Sequence, residues 1–479
     1  MNSLNSLGGS ELPASGDLVV EQPVASQSMS TDLPSLAEAV QRLAGRAIWH
    51  VNTTALGGGV AEVIRTTVSQ HNAAGLRSRW LVTRGAPDFF TLTKQLHHLL
   101  HSMPGSGHLP ARTDQEMYRS LTKAQAHAAL QWIGPADVAV LHDPQTLGLA
   151  PVLHEHGRAV IWRCHIGSAR PSRYRNVAWS FLAPYAEEAD RLVFSLANFV
   201  PPQLAERPVT IIPPGLDPSS PRCQPLGLAD VHRVLAAVGL HRDSNSDMAP
   251  AGKVNIAELR GAARVIQDEP VPENADVILQ LARWDPLKDM SGVLKSFADY
   301  IAPHASARLI LAGPDPDEIA DDLENRTVLA GIVEARGRLP LPVRRRVHLV
   351  VLRLSQRSAN QLLVNALIHR ATTVVQKSLE EGFALISMEA MYHSKPLVAS
   401  AVGGLAAQIT DHEHGLLVPP HDYAAFGAAV CRLLTDRSLA DRLAGAARAH
   451  CEHDLLVSRE HERIAELVLQ VAGLPPGEH

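Results

Sequence analysis

From Arg46 onward the chain alternates between two kinds of segment. Short, almost wholly apolar runs (AIWHVN, SRWLVT, ADVAVLHD, RAVIWRCHI, RLVFSL and VTIIPPG) each end in turn residues. Runs of that length, rich in β-branched residues and bounded by breakers, predict buried strands. Between them lie amphipathic stretches such as VAEVIRTTVSQHNAAG and RSLTKAQAHAALQWIG. Alternation of this kind predicts a parallel sheet covered by helices on both faces. The rhythm breaks between Pro218 and Asn274, where DSNSDMAPAGK and QDEPVPENAD interrupt a polar segment that reads as an interdomain connection carrying a helical insert. A second series follows: VILQLARWD, ARLILAGPD, VHLVVLRL, TTVVQKS, PLVASAVGG and HGLLVPP. The expected fold class is α/β, two doubly wound domains in tandem, with a deep cleft between two rows of strand carboxyl ends.

The predicted boundaries are a disordered tail over 1–35, a first domain over 36–215, and a second over 216–455 with an insert at about 218–274. A last helix within 456–479 is expected to cross back onto the first domain. The tail is rich in Ser, Gly, Pro and acid and lacks the basic start and apolar core of a secretory signal. Composition narrows the partners. A net charge of −5 with 19% charged residues offers no field for a polyanion, so nucleic acid is not expected as the main partner. No apolar run reaches the ~18–20 residues of a membrane span. Cys164, Cys223, Cys431 and Cys451 form no CxxC, which argues against a disulfide framework or a zinc knuckle. A cytoplasmic protein is expected, and nothing in the composition opposes a homodimer.

Candidate chemistry gathers at the strand ends. After AIWHVN come Gly57, Gly58 and Gly59 and a helix beginning near Val60. That is either a tight strand–helix turn or a place where backbone amides approach an anion. In LARWDPLKD, Arg283 and Lys288 lie five apart beyond a strand end, as a solvated loop or as two cations able to neutralise a diphosphate. In QKSLEEGFALISMEAM, Glu381 ends a strand, Gly382 and Phe383 turn the chain, and a helix starts near Ala384 with Glu389 two turns in. The first helical amides there are open to phosphate oxygens, and the two carboxylates can grip hydroxyl pairs on either side of a diphosphate. On the first half, LHDPQ (His142, Asp143) and IWRCHIG (Arg163, His165) end strands facing the same cleft. HHLLH (His97, His98, His101) lacks a carboxylate or Cys at ligand spacing, so a metal site is not expected there.

RWDPLKD followed by EGFALISMEAM, PLVASAVGG and HGLLVPP resembles the nucleotide-binding half of the retaining glycosyltransferases of family 4, over nearly all of Arg46 to Val471. Within that family WHVNTTALGGGVAEV, LHDPQ, WRCHIG and VNALIHRATTVVQKS are similar to the trehalose-forming synthases. The resemblance implies two tandem Rossmann-like domains with a deep interdomain cleft (the type B glycosyltransferase fold). It implies transfer of glucose, with retention, from a nucleoside-diphosphate glucose to a sugar acceptor, namely free glucose, giving α,α-trehalose. Arg283 and Lys288 would hold the diphosphate. Glu389 would take the ribose, and Glu381 with Gly382, Phe383, Ala384 and Leu385 the donor sugar. Gly57, Gly58 and Gly59 would position phosphate, His165 would lie near the reacting carbon, and Asp143, Arg163 and His165 would contact the acceptor. His165, Glu381, Arg283 and Lys288 are thus the catalytic candidates. No metal or other cofactor is implied.

Three departures stand out: Ala384 for glycine, Gly167 for aspartate after RCHI, and Gln408 for the acid of GG-x-x-E. The competing readings are a trehalose phosphorylase of the same fold, a non-catalytic nucleotide-sugar-binding protein, and a metal-dependent transferase using Asp315 and Asp317 as a DxD.

Overall fold

The computed structural model describes residues 18–21, 34–55, 58–242, 256–319 and 324–474. The first sheet is formed by β1 (Leu18–Glu21), β2 (Ala47–Asn52), β3 (Arg77–Thr83), β4 (Val138–His142), β5 (Ala159–Cys164), β6 (Arg191–Phe194) and β7 (Val209–Ile211). Its order is β1-β3-β2-β4-β5-β6-β7. The second holds β8 (Ala263–Ile266), β9 (Val277–Leu281), β10 (Arg308–Pro314), β11 (Val347–Leu352), β12 (Thr373–Gln376), β13 (Leu397–Ser400) and β14 (Leu416–Val418). It runs β14-β13-β12-β9-β10-β11-β8. All pairings are parallel except the two edges, β1 on β3 and β8 on β11. The inner strands are buried on both faces, as their unbroken apolar runs require.

Two segments differ from their sequence reading. Leu18–Glu21, placed in a disordered tail, lies along β3 as an edge strand, its apolar, β-branched LVV run adding one antiparallel ladder. The rest of 1–33 falls outside the described residues. The 218–274 segment holds helices at Leu228–Ala237 and Ile256–Gly261, as a helical insert would, but it also contributes the antiparallel strand β8, so it is partly built into the second domain's sheet.

The order of strands fixes where ligands go. In the first sheet the chain runs from β2 to β3 on one side and then to β4 on the other, opening a crevice beyond the ends of β2 and β4. In the second, β10 and β12 flank β9 in the same way. Both crevices are topological switch points, and both face one cleft. The helix Val457–Val471 returns to the first domain, packing Ile464 and Val468 with Ile48, Val138, Val140 and Ile161. Here two crossings lie side by side. The Val457 amide donates to the Leu216 carbonyl (2.9 Å), and the Leu216 amide to the Leu455 carbonyl (2.8 Å). A Cβ on Gly215 would sit 2.4 Å from the Val457 Cα, so only glycine lets the two chains meet.

Candidate functional site

On the second-domain wall, β9 ends at Leu281 and the chain turns through Arg283 and Asp285. The buried Asp285 carboxylate accepts from the Leu287 amide (2.8 Å), which closes the turn carrying Lys288. It also lies 3.4 Å from the Arg283 guanidinium and accepts from Lys94 of the first domain (3.0 Å). Burial would raise this carboxyl, but Lys94 and Arg283 hold it well below the usual range. Lys288 Nζ donates to both oxygens of Glu381 (2.6 Å each), and Ser378 donates to one of them (2.9 Å). Arg283, Lys288 and Glu381 thereby line one cavity of about 330 Å³.

The loop after β12 is held from behind. The Gly404 amide donates to the Glu381 carbonyl (3.0 Å), and a Cβ on Gly404 would come within 2.3 Å of the Phe383 Cα. Gly382 passes so close to the His165 carbonyl that a Cβ would approach it to 2.6 Å. The turn into the helix Leu385–Tyr392 is made by Ala384 with φ +66°, a left-handed conformation that glycine adopts freely. The departure at Ala384 therefore stores strain in the backbone. Gln408 donates to the Phe383 carbonyl and accepts from Ser387, whose single hydroxyl hydrogen is shared with the Ala384 carbonyl (2.6 Å). An amide can donate to that carbonyl where an ionised acid cannot, which accounts for Gln408. Glu389 lies below, in a smaller recess with Glu62, Arg222 and Leu385. Arg222 is 3.3 Å away, and one carboxylate oxygen of Glu389 is buried without a partner among the described residues. Burial pushes Glu389 up to about 7, against the pull of Arg222 and with Glu62 adding to the rise.

On the first-domain wall, Gly59 lines the cavity, Gly58 begins the helix Gly58–Ala73, and Gly57 lies outside the described residues. Asp143, at φ +60° just past β4, accepts from the His165 amide (2.7 Å). Burial pushes its carboxyl up to about 7, against the His165 amide, Arg163 and Arg283. A second recess of about 150 Å³ opens beside the first, lined by Asn52, Thr54, Lys94, Asp143, Gln145 and Arg283. His165 lines the main cavity with its ring stacked on His142. Burial, with Arg163 adding to it, holds His165 well below the ordinary histidine range.

Arg163 is a correction. It lines neither cavity: its guanidinium is buried and donates to Glu460 of the C-terminal helix (2.7 Å). It stands on the face of β5 that this helix covers, so the strand's alternation takes it away from the cleft. Gly167 has no room for the expected side chain, since a Cβ would meet the Phe199 ring at 2.6 Å. Asp317 pairs with Arg326 (2.9 Å) and, like Asp315, lines neither cavity. Among the described residues no cluster of His, Cys, Asp and Glu could hold a metal.

Sequence reasoning missed the cleft face of the helix Pro87–Leu100. Its apolar positions Phe89, Leu92, Leu96 and Leu99 are buried, leaving Lys94, His97 and His101 as a stripe toward the cleft. The i, i+3, i+7 spacing was visible in the sequence. Arg222, Glu380 and Arg170 were missed as well. Arg170 of the first domain pairs with Glu380 of the second, and with Lys94–Asp285 this holds the two walls together.

Residues 50–201 match the family model for the trehalose synthase N-terminal domain, and 353–450 the model for group 1 glycosyl transferases. The chain is 29% identical over 427 residues to a trehalose synthase of Rubrobacter xylanophilus, covering 88% of this chain and 90% of the relative. It is 26% identical over 457 residues to a trehalose synthase of Pyrococcus horikoshii, covering 92% and 94%. The solved α,α-trehalose-phosphate synthase (UDP-forming) of Burkholderia vietnamiensis superposes with a TM-score of 0.62 at 16% identity, over 90% of this chain and all of that one. The resemblance seen in the motifs therefore stands. This chain is a glycosyltransferase with the type B fold.

Proposed function

We propose that the enzyme transfers glucose, with retention, from a nucleoside-diphosphate glucose to free glucose, giving α,α-trehalose. The observation that carries this reading is the convergence of Arg283, Lys288 and the Leu385–Tyr392 helix amides on one cavity that opens into the recess ending at Asp143. Departure of the nucleoside diphosphate leaves oxocarbenium character on the sugar, and fixed cations aimed at the developing charge lower that barrier most. The attacking acceptor hydroxyl forms the new C–O bond on the face the diphosphate leaves, and its proton passes to the departing phosphate oxygen. Lys288 is held at 2.6 Å by Glu381, so it meets the phosphate without reorganising. Glu389 and Arg222 suit a ribose. The reading needs no divalent metal, because the cations and helix amides supply the compensating charge.

The acceptor recess supports a neutral sugar. Its first-domain cation, Lys94, is held by Asp285 (3.0 Å) with Glu324 3.7 Å away, so its charge is matched before any ligand arrives, while Arg283 serves the diphosphate. A nucleotide-sugar donor fits a cytoplasmic enzyme, and among the described residues no helix is long and apolar enough to cross a membrane. The test is to incubate the protein with ADP-, UDP- or GDP-glucose and either glucose or glucose 6-phosphate, and to identify the product by NMR. α,α-Trehalose from free glucose is expected. Exclusive use of glucose 6-phosphate would overturn the acceptor assignment, and cleavage of trehalose by phosphate without any nucleotide would replace the reaction.

A further inference from the structure

Three imidazoles stand nose to tail behind the cavity wall. His50 lies in β2, His142 ends β4 and His165 follows β5, and each ring is more than nine-tenths buried. His165 Nε2 is 2.9 Å from His142 Nδ1, and His142 Nε2 is 3.0 Å from His50 Nδ1. His50 Nε2 is buried and meets no partner among the described residues. The His71 ring, 6.3 Å from that of His50, and the His461 ring, 4.8 Å further on, close the inner end. With Nε2 of His165 committed to His142, its Nδ1 is the nitrogen left for a ligand in the cavity.

A neutral imidazole carries one N–H, and each contact in the chain needs one donor and one acceptor. The hydrogens must therefore all point the same way. If they point inward, His165 offers the cavity a bare nitrogen and His50 buries an N–H with no acceptor. If they point outward, His50 keeps only a bare lone pair, and His165 offers an N–H to a cavity built for an anionic donor. Buried orphan N–H groups are the rarer defect, and a polarised chain directs its positive end toward negative charge. We propose that His142 and His50 are positioning residues that fix His165 in orientation and in its Nδ1–H tautomer, making it a hydrogen-bond donor to the nucleotide-sugar. This rests on the reading of His165 as a group beside the donor sugar.

The test uses the full chain labelled with [15N]histidine, with ring signals assigned by single substitutions. All three rings are expected to carry hydrogen on Nδ1. His142→Asn places its amide nitrogen where Nδ1 stood, so kcat should stay within about threefold of the parent. His142→Phe removes both contacts and should lower kcat by about tenfold or more with the donor KM little changed, well short of the ~10⁴ lost when a buried carboxylate partner is replaced in a hydrolase triad. His142→Asp only accepts, and should move the His165 hydrogen to Nε2. A wild-type His165 bearing hydrogen on Nε2, or an unaltered kcat in His142→Phe, would overturn the proposal. Should His142→Phe not fold, the wild-type spectrum decides alone. That spectrum is also independent of which reaction is found, so failure of the proposed transfer and failure of the chain are distinguishable.

Discussion

Replacing Glu389 by glutamine separates the cost of burying this carboxylate from the use made of it. In the folded enzyme its titration point rises from the ordinary 4.5 to about 7 through burial, only partly offset by Arg222. Between those two values the unfolded chain has ionised Glu389 while the folded one keeps it neutral, so stability falls as pH rises from 4.5 to 7 and is level above. At ~1.4 kcal/mol per tenfold, ionisation costs the fold roughly 3 kcal/mol at pH 8 and under about 1 kcal/mol at pH 5. Glutamine has no such cost, although above about pH 7, where Glu389 is ionised, it leaves Arg222 less well paired. The stability of Glu389→Gln relative to the parent should therefore improve by roughly 2 kcal/mol between pH 5 and pH 8, whatever its sign at either end. Denaturant unfolding at both pH values, compared at the first transition because two domains need not unfold together, measures this. The same variant should bind free nucleoside diphosphate about 10- to 100-fold more weakly at pH 8, since a charge-assisted hydrogen bond to the ribose is lost. A stability difference that ignores pH would refute the buried-carboxyl reasoning. A loss confined to the sugar-bearing donor would place Glu389 at the sugar instead.

Arg283→Ala and Lys288→Ala should each lower kcat by roughly 10²-fold or more and also lower thermal stability, because the buried Asp285 or Glu381 loses a partner; normal turnover in both folded variants would remove the pair from the mechanism. Ala384→Gly relieves the left-handed alanine, at about 1–2 kcal/mol, but loosens the unfolded chain by about 0.4–1 kcal/mol; a net gain of about 0.5–1 kcal/mol is expected, and a clear loss of stability would contradict it. Activity should survive exhaustive chelation, whereas loss restored by magnesium or manganese would overturn the metal-free reading.

The parallel strands and the Arg283, Lys288 and Glu381 wall were legible because each lies within a few residues of a strand end, where local pattern and position coincide. Lys94 was harder: its helix is amphipathic in the sequence, but that it faces Asp285 depends on how the two domains meet. Arg163 misled because a strand-end position says nothing of which face the residue occupies, and here that face belongs to the C-terminal helix. His50 and His142 are ninety-two positions apart and become neighbours only through the β2–β4 register. The edge strands β1 and β8 are four residues each and pair antiparallel, too short and too polar at their flanks to stand out.

The paired crossing at Gly215 and Val457 has a consequence for the order in which the protein is made. The first sheet ends at Ile211, yet the helix that covers its Ile48, Val138, Val140 and Ile161 face is the last described element of the chain. At about 5–20 residues per second, a ribosome needs on the order of tens of seconds to deliver that helix after the sheet's last strand has emerged. Through that interval the nascent first domain carries an uncovered apolar face, and the second domain is free to finish before the first. The first domain is therefore completed only by a helix made after the whole second sheet.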